Sequence, residues 1–161
     1  MLSFAYGTRY HPYAVGALAG SALVAMPMVL TWATDIGGFT FGRAFGRHKL
    51  MPSISPKKTI AGAVGGLALA VALSVLYAPF ILRPLAGLSM RWWGAVLFGV
   101  ALSVAAQVGD LVESMFKREA AVKDSSHLIP GHGGLLDRVD SLLFTLPIGY
   151  ALFGWLLIPA P

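Results

Sequence analysis

The chain has no cysteine, which excludes disulfides and thiolate metal sites and leaves the redox compartment unmarked. Histidine is scarce, with four in 161 residues, so a histidine-built zinc centre is not expected. Charge is scarce as well: 12% of residues are charged, against roughly 25% in an ordinary soluble domain. No basic stretch is interleaved with aromatics in the manner of a nucleic-acid groove, so nucleic acid is not an expected partner. Internal repeats and low-complexity linkers are missing, and Met1 to Pro12 lack the cleavage pattern of a signal peptide.

What is present is apolar. Hydrophobic residues make up 57% of the chain, too many for a soluble fold to cover with polar surface. A membrane span needs about 20 apolar residues. Four segments qualify, at about Ala14 to Thr34, Ile60 to Leu82, Trp92 to Val108 and Leu142 to Ile158, none with a lysine, arginine or carboxylate. Backbone groups cannot stay unpaired in lipid, and the segments do not alternate as barrel strands do. The expected fold class is therefore all-α, a polytopic transmembrane helical bundle of about four spans forming one domain over residues 1–161. Gly62 and Gly66, four apart in the second span, suit close helix packing within the chain, with a homodimer face as the minor reading.

The polar residues fall in two loops, Asp35 to Thr59 and Gly109 to Ser141. Two intervening spans put both loops on one side. That side holds nine basic residues, while the other holds only Arg9, Arg83 and Arg91. The positive-inside rule places the loops in the cytoplasm, with the chain multi-pass in the inner (plasma) membrane. Trp92, Trp93 and Trp155 fit interfacial anchors.

Six of the seven acidic residues crowd the second loop: Asp110, Glu113, Glu119, Asp124, Asp137 and Asp140. If the third helix continues past the membrane, Gln107, Asp110, Ser114 and Lys117 share a face, bordered by Glu113 and Arg118. Asp137 and Asp140 share a face at the start of the fourth span. Converging carboxylates repel, and a hard divalent cation relieves that repulsion. Between the two faces, Pro130-Gly131-His132-Gly133-Gly134 can bring backbone N–H groups close to a phosphate, and His132 can bind a phosphate or move a proton. Solvated ion pairs such as Glu119 with Lys123 are the plainer alternative.

In the first loop, Ser55-Pro56 reads as a helix start, with Lys57, Lys58 and Thr59 in the first turn. Lysine there opposes the helix dipole unless an anion sits at the helix start. Arg43, Arg47 and Lys49 add cations that could meet lipid or nucleotide phosphates, and Asp35 adds a carboxylate where the first span ends. Cations in one loop and carboxylates in the other suit a triphosphate with a divalent ion, and the membrane suggests a lipid as second substrate.

The run SMFKREAAVKDSSHLIPGHGGLLDRVD resembles the C-terminal motif of phosphatidate cytidylyltransferases, through Lys117-Arg118, Lys123-Asp124, Pro130, His132-Gly133-Gly134, Asp137-Arg138 and Asp140. Gln107, Gly109-Asp110, Glu113-Ser114, Asp35, Gly42-Arg43, Gly46 and Ser55-Pro56-Lys57-Lys58-Thr59 extend the likeness over about residues 30 to 158. The resemblance implies transfer of CMP from CTP to phosphatidate at a magnesium-centred site, with potassium as a candidate second cation. It implies metal ligands among Asp110, Asp137, Asp140 and Glu113, and catalytic roles among Asp110, Asp137, Lys123, Asp124 and His132. Substrate phosphates would fall to Lys57, Lys58, Ser55, Arg43, Lys117, Arg118, Arg138, Gly133 and Gly134. Two departures stand out: the family usually has glutamate where this chain has Ala61, and its members usually carry further N-terminal spans. A CTP-dependent polyprenol or phytol kinase and a truncated, non-catalytic membrane subunit are the competing readings.

Overall fold

The structure is a computed structural model, and it describes residues 1–14, 17–120 and 136–160, without the side chains of residues 17 and 136–139. A short helix α1 (Leu2–Arg9) leads into the long α2 (Ala17–Phe45). A small hairpin follows, β1 (Lys49–Met51) paired antiparallel with β2 (Ser55–Thr59). Helix α3 (Ile60–Tyr77) passes through a π-helical turn at Ala78–Leu82 into α4 (Arg83–Ala86). Then come β3 (Leu88–Met90), α5 (Trp92–Glu119), α6 (Leu136–Leu156) and β4 (Leu157–Pro159).

Among the described residues, three helical stretches are long and apolar enough to cross a membrane: Leu18–Phe45, Ile60–Ala86 and Trp92–Glu119. The apolar part of α6, Asp140–Leu156, is shorter. The all-α membrane bundle expected from hydropathy is thus the fold, with two small β pairs that periodicity did not announce.

In lipid there is no hydrophobic drive between helices, so close packing and polar contacts must hold them together. Helices α2 and α3 make the most extensive contact, through glycine. A Cβ on Gly66 would lie 2.5 Å from the Thr34 carbonyl oxygen, and one on Gly62 would lie 2.6 Å from that of Gly38. The Gly62–Gly66 face is therefore spent on α2 within the chain. Leu23, Met26, Leu30, Leu82, Phe98, Leu102 and Phe153 are fully buried, and the Phe98 and Phe153 rings, 4.8 Å apart, join α5 to α6. A seam of hydroxyls crosses the bundle: the Thr31 and Thr145 hydroxyls, and those of Thr34 and Ser103, are hydrogen-bonded at 3.1 Å, and Ser74 donates to the Ala95 carbonyl at 2.7 Å.

Two expectations need correction. The helix of the first expected span, α2, does not end at Asp35 but runs on to Phe45. The low helix propensity of Gly37 and Gly38 is offset because both lie against α3, where a Cβ on Gly37 would sit 2.8 Å from the Gly65 carbonyl oxygen. Residues 55–59 are not the first turn of a helix but strand β2. The cap of α3 is Thr59, extended at φ −125°, whose hydroxyl accepts from Gly62 N at 3.1 Å. β-branched threonine suits both the strand and the cap, and strand pairing with Lys49–Met51 holds the lysines extended.

The opposite end of the bundle is closed by β3 pairing with β4, from Leu88↔Pro159 to Met90↔Leu157. Gly87 makes the turn into β3 at φ 59°, a left-handed value open to glycine at little cost. Trp92 and Trp155 are exposed at this end, as interfacial anchors would be.

Candidate active site

At the hairpin end, α2, β2, α3 and α5 enclose a cavity of about 550 Å³. That volume suits a small-molecule or nucleotide ligand, for which pockets run about 300–1,000 Å³. Helix α2 contributes Thr34, Asp35, Gly38, Phe39, Gly42 and Arg43. The turn and hairpin contribute Gly46, Lys49, Leu50, Lys57, Lys58 and Thr59; α3 contributes Gly62 and Ala63; α5 contributes Gln107 and Asp110. Small residues on α2 and α3 leave the space, and cations from the hairpin share its lining with carboxylates from α2 and α5.

The two polar loops meet directly. Lys58 Nζ is 2.6 Å from Asp110 Oδ2, joining β2 to α5 across the cavity wall. Their residues therefore lie at one end of the bundle, as the span count requires. Gln107 Nε2 donates to the Ala63 carbonyl and to Ser103 Oγ, each at 3.2 Å, and so fixes the floor between α3 and α5.

Beside the cavity, Asp110, Glu113 and Asp140 bring one carboxylate oxygen each within 4.8 Å of one another. Asp110 and Glu113 are three apart on α5, and Asp140 comes from α6, so two helices converge as their sequence faces suggest. Glu113 is buried at 7% exposure and accepts from Lys117 Nζ at 2.8 Å. Asp140 Oδ1 accepts from Ser141 N at 2.6 Å. An all-oxygen, all-carboxylate donor set of this kind fits a hard divalent cation such as magnesium.

With this geometry in view, the chain can be set beside known proteins. A profile described as the cytidylyltransferase family matches residues 1–156. The chain belongs to the cytidylyltransferase family. Proteins named phosphatidate cytidylyltransferase are similar to it. The one from Staphylococcus epidermidis is 44% identical over 129 residues, covering 80% of this chain and 48% of the relative. That from Haemophilus influenzae is 46% identical over 128 residues, covering 80% and 44%. One from Staphylococcus aureus is 49% identical over 124 residues, covering 74% and 44%. The chain thus spans about half the length of the curated relatives it matches.

Within this family member, the sequence-derived candidates separate into groups. Arg43, Lys57, Lys58 and Asp110 line the cavity, with Lys49 and Asp35 beside them. Glu113 and Asp140 join Asp110 in the carboxylate cluster. Asp137 and Arg138 lie in α6, one turn or less before Asp140, but their side chains are outside the description. Lys123, Asp124, His132, Gly133 and Gly134 lie outside the described residues.

Other candidates stand off from the cavity lining. Lys117 pairs with Glu113. Arg118 is exposed, and its Nε points to the Ile54 carbonyl at 3.4 Å, linking the hairpin to α5. Ser55 opens β2 and is not among the lining residues. Ala61, where the family usually has glutamate, lines a separate groove of about 460 Å³ with Phe41, Phe45, Arg47, His48 and Ile60. Ala61 itself is not among the residues that line the cavity. Arg47 turns to this groove too, not to the cavity.

Sequence reasoning missed Thr34 as a lining residue and Ser103 beneath it. Thr34 Oγ1 donates its one proton to its own i−4 carbonyl, Leu30, at 2.9 Å and so meets Ser103 as an acceptor, and nothing in the local sequence separates that partner on α5 from the ordinary helical bond.

Proposed function

We propose that the chain carries the reactive site of a phosphatidate cytidylyltransferase, which joins CTP and phosphatidate into CDP-diacylglycerol. A phosphate oxygen of the lipid attacks the α-phosphorus of CTP; a new P–O bond forms, the α–β anhydride bond breaks, and pyrophosphate leaves. Arg43 from α2 and Lys49, Lys57 and Lys58 from the hairpin supply cationic donors for the phosphates in the cavity lining. Magnesium held by Asp110, Glu113 and Asp140 would offset the negative charge of the reacting phosphates. Gln107 and the α2–α3 glycines keep the floor and wall rigid, so the reactants are held in one geometry. Apolar helices on three sides let a lipid present its phosphate at the membrane surface while its chains stay in hydrocarbon.

The observation that carries this reading is the Lys58–Asp110 contact, which joins the basic hairpin to the carboxylate helix beside one cavity. The nine basic residues of the two polar loops favour a cytoplasmic site in the inner membrane, where CTP is available. The test is the fate of CTP labelled at the α-phosphate, incubated with the detergent-solubilised chain and phosphatidate. Label in a lipid-linked CMP, with pyrophosphate released, supports the proposal. Label in CDP, with a polyprenol or phytol phosphorylated instead, would assign the chain to the kinase reading. No transfer to either acceptor would leave the non-catalytic subunit.

A further inference from the structure

The Lys58–Asp110 contact joins two groups that serve different partners in the proposed reaction. Asp110 belongs to the three-carboxylate cluster, while Lys58 stands among the cavity cations. Yet Lys58 Nζ lies 2.6 Å from Asp110 Oδ2, and that nitrogen is buried. Magnesium takes carboxylate oxygens at about 2.0–2.1 Å, so an ammonium this close competes with it for the charge of the same carboxylate. The two cations would also repel each other at that range. Lysine carries its charge on a flexible four-carbon stem, so Nζ can leave without any movement of β2. The backbone there is held by the pairing of Lys49 with Thr59, and by the bond from Ile60 N to the His48 carbonyl at 3.1 Å. The side chain can swing while its anchor stays fixed.

We propose that Lys58 is a resident counter-cation of the carboxylate cluster: it excludes a divalent ion from Asp110 until a phosphate-bearing substrate draws the ammonium away. Lys58 and a divalent ion at Asp110 are then mutually exclusive, and nucleotide and metal enter together rather than metal first. The exclusion of metal concerns the chain alone. The release of Lys58 by a nucleotide rests on the function proposed above.

The two parts are tested separately. Mn²⁺ serves as the divalent probe, and its binding to the full chain in detergent is read from the electron paramagnetic resonance signal of free Mn²⁺, without nucleotide. Lys58→Met keeps the stem and removes the charge; it should tighten Mn²⁺ binding by about tenfold or more, the size of a lost charge-assisted contact. Lys57→Met removes the same charge from the neighbouring position of the same cavity and should change binding by less than about threefold, since Lys57 is exposed and its charge is screened by solvent. Asp110→Asn in the Lys58→Met background should abolish the gain, which places the ion at Asp110. Lys58→Arg keeps the charge and should bind Mn²⁺ as weakly as the unaltered chain. Unaltered or weaker binding in Lys58→Met, in protein that elutes and melts as the parent does, overturns the proposal. An equal gain in Lys57→Met also overturns it, because net charge would then be the cause. For the second part, adding CTP should tighten Mn²⁺ binding in the parent chain but much less in Lys58→Met. If CTP leaves Mn²⁺ binding unchanged in both while the first result holds, Lys58 excludes metal but the nucleotide reading fails.

Discussion

Replacing Gly66 by alanine tests whether the cavity depends on the close approach of α2 and α3. The added Cβ would lie 2.5 Å from the Thr34 carbonyl oxygen and 3.3 Å from Gly38 N. Both are backbone atoms, so no side chain can rotate away. An ordinary carbon contact needs about 3.5 Å, so the helices must separate locally by up to about 1 Å. Overpacking of that kind costs about 1–3 kcal/mol. The segment pushed outward carries Thr34 and Asp35, which line the cavity, away from Gln107 and Asp110 on the other side. A misplacement of about 1 Å at a reacting centre can cost about 10²-fold in rate. Gly66→Ala should therefore unfold earlier in detergent melts and lose about 10- to 100-fold in turnover, although it removes no polar group. Gly94→Ala is the control: its Cβ would meet Leu156 Cδ2 at 3.6 Å, an ordinary contact, and stability should stay within about 0.5 kcal/mol. A Gly66→Ala protein that melts and turns over like its parent would refute the argument that glycine contacts set the cavity.

Three further outcomes are expected. Thr59→Val keeps the strand-forming shape but loses the hydroxyl that accepts from Gly62 N, so it should cost about 1 kcal/mol in unfolding, while Thr59→Ser should recover most of that. Because the chain has no cysteine, single cysteines report sidedness: a cysteine at Lys49 should react with an impermeant thiol reagent from the cytoplasmic side and one at Ser89 only from the opposite side, and labelling of both from one side would break the topology. Chelation of divalent ions should stop CMP transfer and magnesium should restore it, whereas turnover that persists in excess chelator would remove the metal role of the Asp110, Glu113 and Asp140 cluster.

The bundle was legible because hydropathy needs only composition and length, and counting spans then placed both loops at one end. Helix ends were less legible. Asp35 reads as a membrane exit, yet α2 continues because the partner face on α3 is made of glycine, a tertiary fact that propensity does not carry. Ser55-Pro56 has the residues of a helix start, but pairing with Lys49–Met51 makes the segment a strand and moves the cap to Thr59. The carboxylate convergence was visible in the polar face of Asp110, bordered by Glu113, and in the three-residue spacing of Asp137 with Asp140. Which of them meet was not, because rotation of α6 about its axis decides whether Asp140 reaches α5. The Lys58–Asp110 pair lies 52 positions apart, by subtraction, and no local pattern couples such residues.

The most direct test is transfer of CMP by the Asp110→Asn protein. Asparagine keeps the size and one acceptor oxygen of Asp110 but loses the charge shared with Lys58 and the carboxylate cluster. The account predicts a folded, membrane-inserted protein whose formation of lipid-linked CMP falls by at least about 10²-fold, equivalent to about 2.7 kcal/mol of transition-state stabilisation. Near-normal transfer by Asp110→Asn, with an unshifted magnesium requirement, would contradict it.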